Sequence, residues 1–265
     1  MKIQRLVVIA AAVAAATAIS ASALGSGGPA PGAAQGAYGV VAPGGAVRYV
    51  ALHGGGNTIL TAIRVHSGLI SLSRTLRGRF GIPVVAFDGT AGGISRDGKT
   101  LVLSSLVAAR TSRFAVLSTR GFHLERMITL PGQWTFDAVS PSARTLYLLQ
   151  YVRGGRPLYR VRAYDLAAGR LLRRPVTDAH DPKGPMRGYP VSRVTSRDGR
   201  WAYTLYRGGR EGPFVHALDT ARRAAVCIDL ERDGIGLSLR GRRLVVQGPG
   251  GPVATIDTRT MRLVS

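Results

Sequence analysis

One short unit recurs from about Gly36 to the end of the chain: an apolar strand, a turn built around Ser-x-Asp-Gly, and a second apolar strand. The clearest copies are Ile94-Ser95-Arg96-Asp97-Gly98-Lys99-Thr100-Leu101 and Thr195-Ser196-Arg197-Asp198-Gly199-Arg200-Trp201-Ala202. Looser copies stand at Val139–Leu148, with Ser142-Ala143 in place of Asp-Gly, at Leu237–Val246, and at Val41–Leu52. Counting from Ala42 through Ser95, Ser140, Ser196 and Ser238, the steps are 53, 45, 56 and 42 residues. Asp-Gly between apolar runs is a hairpin signal. Glycine takes positive φ at little cost, and aspartate hydrogen-bonds the backbone of its own turn.

A second half follows each turn. Arg162–Leu171, Val215–Arg223 and Ala254–Arg262 each read as strand, tight turn, strand, with Asp165, Asp219 and Asp257 ending the first strand. Ala62–Leu69 and Val116–Phe122 are less regular copies. Two hairpins make four strands per unit, and a period of about 40 to 50 residues is the signature of propeller blades. No stretch beyond Ala23 sustains a helical period. The expected fold is therefore all-β, a β-propeller of about five four-stranded blades near 36–83, 84–133, 134–188, 189–232 and 233–265. A β-sandwich is the rival, but it does not require one turn five times.

The start of the chain speaks to compartment. Lys2 and Arg5 precede an uncharged apolar run, Leu6 to Ile19, and Ala21-Ser22-Ala23 supplies small residues for cleavage. This is the layout of a secretory signal peptide over 1–23. An uncleaved anchor is the other reading, although the run is shorter than the roughly 20 residues of a bilayer span. Residues 24–35 are Gly, Pro, Ala and Ser without period and read as a flexible spacer. The expected location is secreted or extracytoplasmic, in the cell envelope. No transmembrane span is expected after cleavage, and the protein reads as a monomer.

Charge narrows the partners. There are 36 Lys and Arg against 14 Asp and Glu, a net +22, and removal of Lys2 and Arg5 leaves +20 (22 − 2). Only Lys2, Lys99 and Lys183 are lysines. The codon bias of a GC-rich bacterial genome explains arginine over lysine, but not the scarcity of acids. So basic a chain is drawn to anionic polymers or surfaces. Aromatics do not interleave with the arginines as a base-stacking platform requires, so nucleic acid is not the expected partner. An anionic cell-envelope polymer, or an unidentified protein, is. The single cysteine, Cys227, excludes a disulfide framework. In its alternating strand it reads as a small buried hydrophobe.

The Ser-Arg-Asp-Gly turns and the second turns after Asp165, Asp219 and Asp257 resemble those of the exported WD-type β-propellers of bacteria, the TolB-like and YVTN-like repeat proteins. The stretch from Arg193 through Trp201–Tyr206, His216–Thr220 and Cys227–Leu230 looks like a secreted branch of that group. The resemblance spans nearly the whole chain after the signal segment. It implies a propeller fold and says little of function, since propellers host binding, scaffolding and unrelated chemistries. The chain departs from the commoner pattern in having five units rather than six or seven.

No nucleophile elbow or phosphate loop is present, no cofactor is implied, and enzymatic activity is not the favoured reading. Some five-bladed propellers are glycosidases, which need two carboxylates about 5 to 9.5 Å apart. Asp88, Asp137 and Asp233 precede inner strands and are the candidates to face the channel at one rim. Asp137 and Arg193 each stand three residues before their turn serine, Ser140 and Ser196. Consecutive units should bring them together, as a ligand-binding pair or as an inter-blade salt bridge. Asp178, His180 and Asp181 form one local group that could hold a hard cation; a solvated loop is the alternative. The favoured function is a non-enzymatic binding or protein-interaction module at or outside the cell surface. A propeller hydrolase acting on a saccharide is the alternative.

Overall fold

The computed structural model describes residues 33–34, 39–106, 110–152, 158–178, 184–209 and 212–264. The expected signal peptide lies outside these residues. Among them there is no helix, and so none long and apolar enough to cross a membrane.

Among the described residues twenty-two strands form five antiparallel sheets. A short β1 (Ala33–Ala34) precedes blade 1, which holds β2 (Val40–Val41), β3 (Val47–Gly54), β4 (Asn57–Arg64) and β5 (Ile70–Arg77). Blade 2 is β6 (Phe80–Pro83), β7 (Thr100–Ser105), β8 (Thr111–Ser118) and β9 (Leu124–Pro131), and β1 adds to the free edge of β6. Blade 3 holds β10 (Trp134–Val139), β11 (Thr145–Val152), β12 (Leu158–Asp165) and β13 (Arg170–Leu171), with β14 (Met186–Arg187) returning to β12. Blade 4 is β15 (Tyr189–Thr195), β16 (Trp201–Arg207), β17 (Phe214–Asp219) and β18 (Ala224–Asp229). Blade 5 is β19 (Gly236–Arg240), β20 (Arg243–Gly248), β21 (Gly251–Asp257) and β22 (Arg262–Leu263). The fold is a five-bladed β-propeller.

The turns that announce the repeat close as their chemistry dictates. Ser95 Oγ donates to Asp97 Oδ1 at 2.6 Å, the same oxygen accepts Lys99 N–H, and Ser95 Oγ accepts Thr100 N–H. Ser196, Asp198, Arg200 and Trp201 repeat these contacts. Gly98 and Gly199 take φ of 71° and 73°. In the degenerate third copy Ala143 must adopt φ 52°, where its Cβ is strained. Ser140 Oγ still accepts Thr145 N–H there. The serine hydroxyl bonds Asp97 and Asp198 most strongly and holds both carboxyls below their usual range.

The core is layered between blades. Tyr49, Leu60 and Ala62 of blade 1 pack on Phe80, Leu101 and Leu103 of blade 2. Val102 and Val116, on the other face of blade 2, meet Phe136, Leu146 and Leu148 of blade 3. Tyr147, Leu149 and Tyr159 meet Ala202, Tyr206 and Phe214 of blade 4, and Tyr203, Leu205 and Val215 meet Leu244, Val246 and Ile256 of blade 5. The inner blades are therefore apolar on both faces. This is why Leu101-Val102-Leu103 and Leu146–Leu149 are unbroken hydrophobic runs rather than alternating ones. Among the described residues no such cluster joins blade 5 to blade 1.

Two spacings depart from the expected frame. The repeat places Phe80–Pro83 in blade 1, yet Phe80 and Gly81 pair with Ser105 and Ser104 of blade 2. The cause is an insertion in the inner strand of blade 2. After Pro83 the chain makes a small hairpin, with Val84 bridging Ala91 and Val85 N–H donating to Thr90 O. It closes where Gly92 N–H reaches Pro83 O at 2.8 Å, and the strand resumes with Ile94 bridging Leu101. The insertion lengthens the first step of the repeat and hides the true blade start. Within the stretch expected to be spacer, Ala33 and Ala34 pair with Pro83 and Ile82.

Candidate functional site

The inserted hairpin does not stay in its own blade. Phe87 N–H donates to Pro190 O at 2.9 Å and Asp88 N–H to Val191 O at 3.0 Å, both on β15 of blade 4. Thr90 Oγ1 donates to Arg193 O. At the turn end, Arg96 Nε donates to Arg197 O. Blades 2 and 4 thus touch across the centre, with blade 3 between them in ring order. A pocket of about 290 Å³ remains, lined by Val85 and Gly93 of blade 2, Phe136 and Asp137 of blade 3, and Arg193 and Arg197 of blade 4.

In its wall lies the Asp137–Arg193 pair. Arg193 Nη2 donates to Asp137 Oδ1, and Nη1 donates to the Asp137 backbone oxygen at 2.9 Å. The side chains are 2% and 5% exposed. A guanidinium so enclosed by its carboxylate, bonded also to the backbone, ties β15 to β10 and favours the bracing role over ligand capture. Asp137 Oδ2 and Arg193 Nε are buried and carry no further hydrogen bond.

The other candidates do not join it. Asp88 is exposed on the hairpin, where Oδ1 accepts both Thr90 N–H and Thr90 Oγ1. Asp233 is 63% exposed and stands 3.6 Å from Arg207 Nε, at the end of blade 4 remote from its Ser-x-Asp-Gly turn. The three acids differ in exposure and partner: Asp88 rides on the inserted hairpin, Asp137 is buried against Arg193, and Asp233 is exposed beside Arg207. Asp178 lies beside a pocket of about 210 Å³ with Tyr159, Val176, Met186 and Phe214, and its Oδ2 accepts Cys227 N–H. His180 and Asp181 lie outside the described residues. Among the described residues no three His, Cys, Asp or Glu side chains gather as a metal site. Cys227 is half-buried at the lining of this pocket rather than enclosed, although both faces of β18 meet apolar side chains.

Two features escape sequence reasoning. His216, 1% exposed on β17, sits 3.5 Å through Nδ1 from Cys227 Sγ, and Nε2 is buried without a hydrogen bond. Burial pushes its pKa down to about 4, so the ring is neutral. Its place in the strand's alternation was visible in the sequence; its enclosure depends on blade 3. The second feature is a row of arginines on blade 5. Arg240-Gly241-Arg242-Arg243 is legible as a turn, but the row appears only with the strand register.

No protein-family model and no curated protein matches the chain. Among solved structures it is similar to an acylaminoacyl peptidase from Pyrococcus horikoshii, at 9% identity and a TM-score of 0.53 over 80% of this chain. That match spans only 35% of the peptidase. It is also similar to TolB from Acinetobacter baumannii (12% identity, TM-score 0.43, 86% of this chain and 52% of that one). BamB from Moraxella catarrhalis gives 14% identity and a TM-score of 0.42 over 85% of this chain and 62% of that one. At these identities the likeness concerns the fold.

Proposed function

We propose that the chain is an exported, non-enzymatic binding module acting at or outside the cell surface, with an anionic envelope polymer or a protein as partner. One observation carries the reading: the acids at the turn end of the blades are committed to their own turns, and among the described residues few of the exposed arginines pair with an acid, Arg200 with Asp219 being the turn-end case. Asp97, Asp165, Asp198 and Asp257 each accept backbone N–H groups of their own turn. Asp219 does the same and also binds Arg200. Among the described residues the ion pairs are Arg193–Asp137, Arg200–Asp219 and Arg207–Asp233. Most of the positive charge is left facing outward. Asp137 is closed off by Arg193 while Asp88 and Asp233 have other partners, which favours binding over a paired-carboxylate hydrolase. The charged start, apolar run and Ala21-Ser22-Ala23 support export.

The test is fractionation of the native producer, followed by binding of the purified protein to isolated envelope. The protein should begin at Leu24 outside the cytoplasm. It should be retained at low salt and released as the Debye length falls from about 8 Å at physiological ionic strength to about 3 Å at 1 M. An intact Met1 in the cytoplasmic fraction, or envelope that retains nothing at low salt, contradicts the proposal.

A further inference from the structure

Blade 5 carries a charge pattern that its own fold does not call for. Strand register places Arg240 opposite Arg243, Arg243 opposite Asp257, and Asp257 opposite Arg262. The four form one row across β19, β20, β21 and β22. Leu239, Leu244 and Ile256, in the alternate phase, pack toward blade 4. Side chains alternate across a strand, so the row points to the opposite face. Its three arginines are exposed, as are Arg242 at the hairpin tip and Arg259 in the next turn.

Like charges directly opposite on neighbouring strands destabilise a sheet, and their Cβ atoms stand only about 5 Å apart. Here Arg240 and Arg243 do so, and none of these arginines forms an ion pair among the described residues. Asp257 offsets them incompletely. Its Oδ1 already accepts Arg259 N–H at 2.7 Å and Thr260 N–H at 3.1 Å, contacts that hold its carboxyl below the usual range.

Resting on the binding-module reading, we infer that this face of blade 5 docks a linear polymer bearing phosphate groups. The oxygens of a phosphate point in several directions, so one group can bridge guanidinium forks on neighbouring strands. A row of cations along the sheet suits a repeating anion better than a single small one. The next residues on the face, Ser238, Val245 and Thr255, are not aromatic and offer no base-stacking platform. The polymer is bound through its phosphates.

The experiment titrates inorganic polyphosphate into the purified full-length protein at several salt concentrations. The double variant R240S/R243S should bind about tenfold more weakly, with a shallower dependence of log affinity on log salt. Its thermal stability should stay equal or rise, because a like-charge pair is removed. R77S/R79S, an equal charge change at exposed positions outside the row, should bind like the parent. Equal weakening of both variants would show diffuse charge and overturn the assignment. So would poly-L-glutamate binding as tightly as polyphosphate, or a single-stranded oligonucleotide binding more tightly. A parent protein that ignores polyphosphate yet is retained by isolated envelope overturns this site and leaves the binding-module reading standing. Failure to bind either overturns both.

Discussion

Replacing Arg193 by alanine should cost about 3–5 kcal/mol, because it leaves a carboxylate buried and unpaired. Asp137 is 2% exposed at the side chain, so water cannot take the place of the guanidinium. The same change removes the donor to the Asp137 backbone oxygen. Against a typical domain stability of about 5–15 kcal/mol, the loss is large and should be plain in a urea titration. The ion pair itself need not be a strong source of stability, since desolvating two charges offsets much of their attraction. The double variant Asp137→Leu/Arg193→Met should therefore recover most of what Arg193→Ala loses. If Arg193→Ala unfolds at the parent's midpoint, the pair does not brace blades 3 and 4, and a ligand role returns to consideration.

The second large effect is a pH dependence. Burial holds the His216 ring at a pKa of about 4, against 6.5 in the unfolded chain. As pH falls below 6.5, the unfolded chain takes up a proton that the folded chain refuses. Stability is full above 6.5 and declines until about pH 4, where both states are protonated. A difference of this size corresponds to about 3 kcal/mol. Asp97 and Asp198 have lowered folded values, so their contribution is present above the ordinary 3.8 and is lost below it. The two windows do not overlap. Chemical denaturation at pH 7 and pH 4.5 should show a marked loss for the parent and a flatter response for His216→Gln. Parallel losses in both proteins would show that His216 is not buried neutral.

The fold was legible because each blade repeats chemistry that the backbone requires locally. Ser95-Arg96-Asp97-Gly98 and Ser196-Arg197-Asp198-Gly199 name their own turns, and Asp165, Asp219 and Asp257 name the second ones. Counting from those serines also put Asp137 and Arg193 at one height, and they meet. Legibility ends where the chain leaves the local pattern. Val84–Ala91 contains no signal for where its hairpin lands, because its partners on β15 are backbone oxygens, which any sequence supplies. Asp88 and Asp233 were grouped with Asp137 because each precedes an inner strand. Asp88 instead rides on the inserted hairpin, and Asp233 is exposed beside Arg207. The arginine row on blade 5 was written in sequence, but which arginines share a face depends on the register of four strands.

The centre of the propeller is braced from blade 2 to blade 4 by the inserted hairpin. Hydrogen exchange resolved to the amides of Phe87 and Asp88 measures that brace. Both residues are exposed, yet their N–H groups are bonded to Pro190 and Val191 oxygens. Exchange should be slow at both, approaching that of the strands of blade 4, because release requires the two blades to part. Exchange as fast as at the exposed turn residue Gly44 would contradict the brace and leave the centre open.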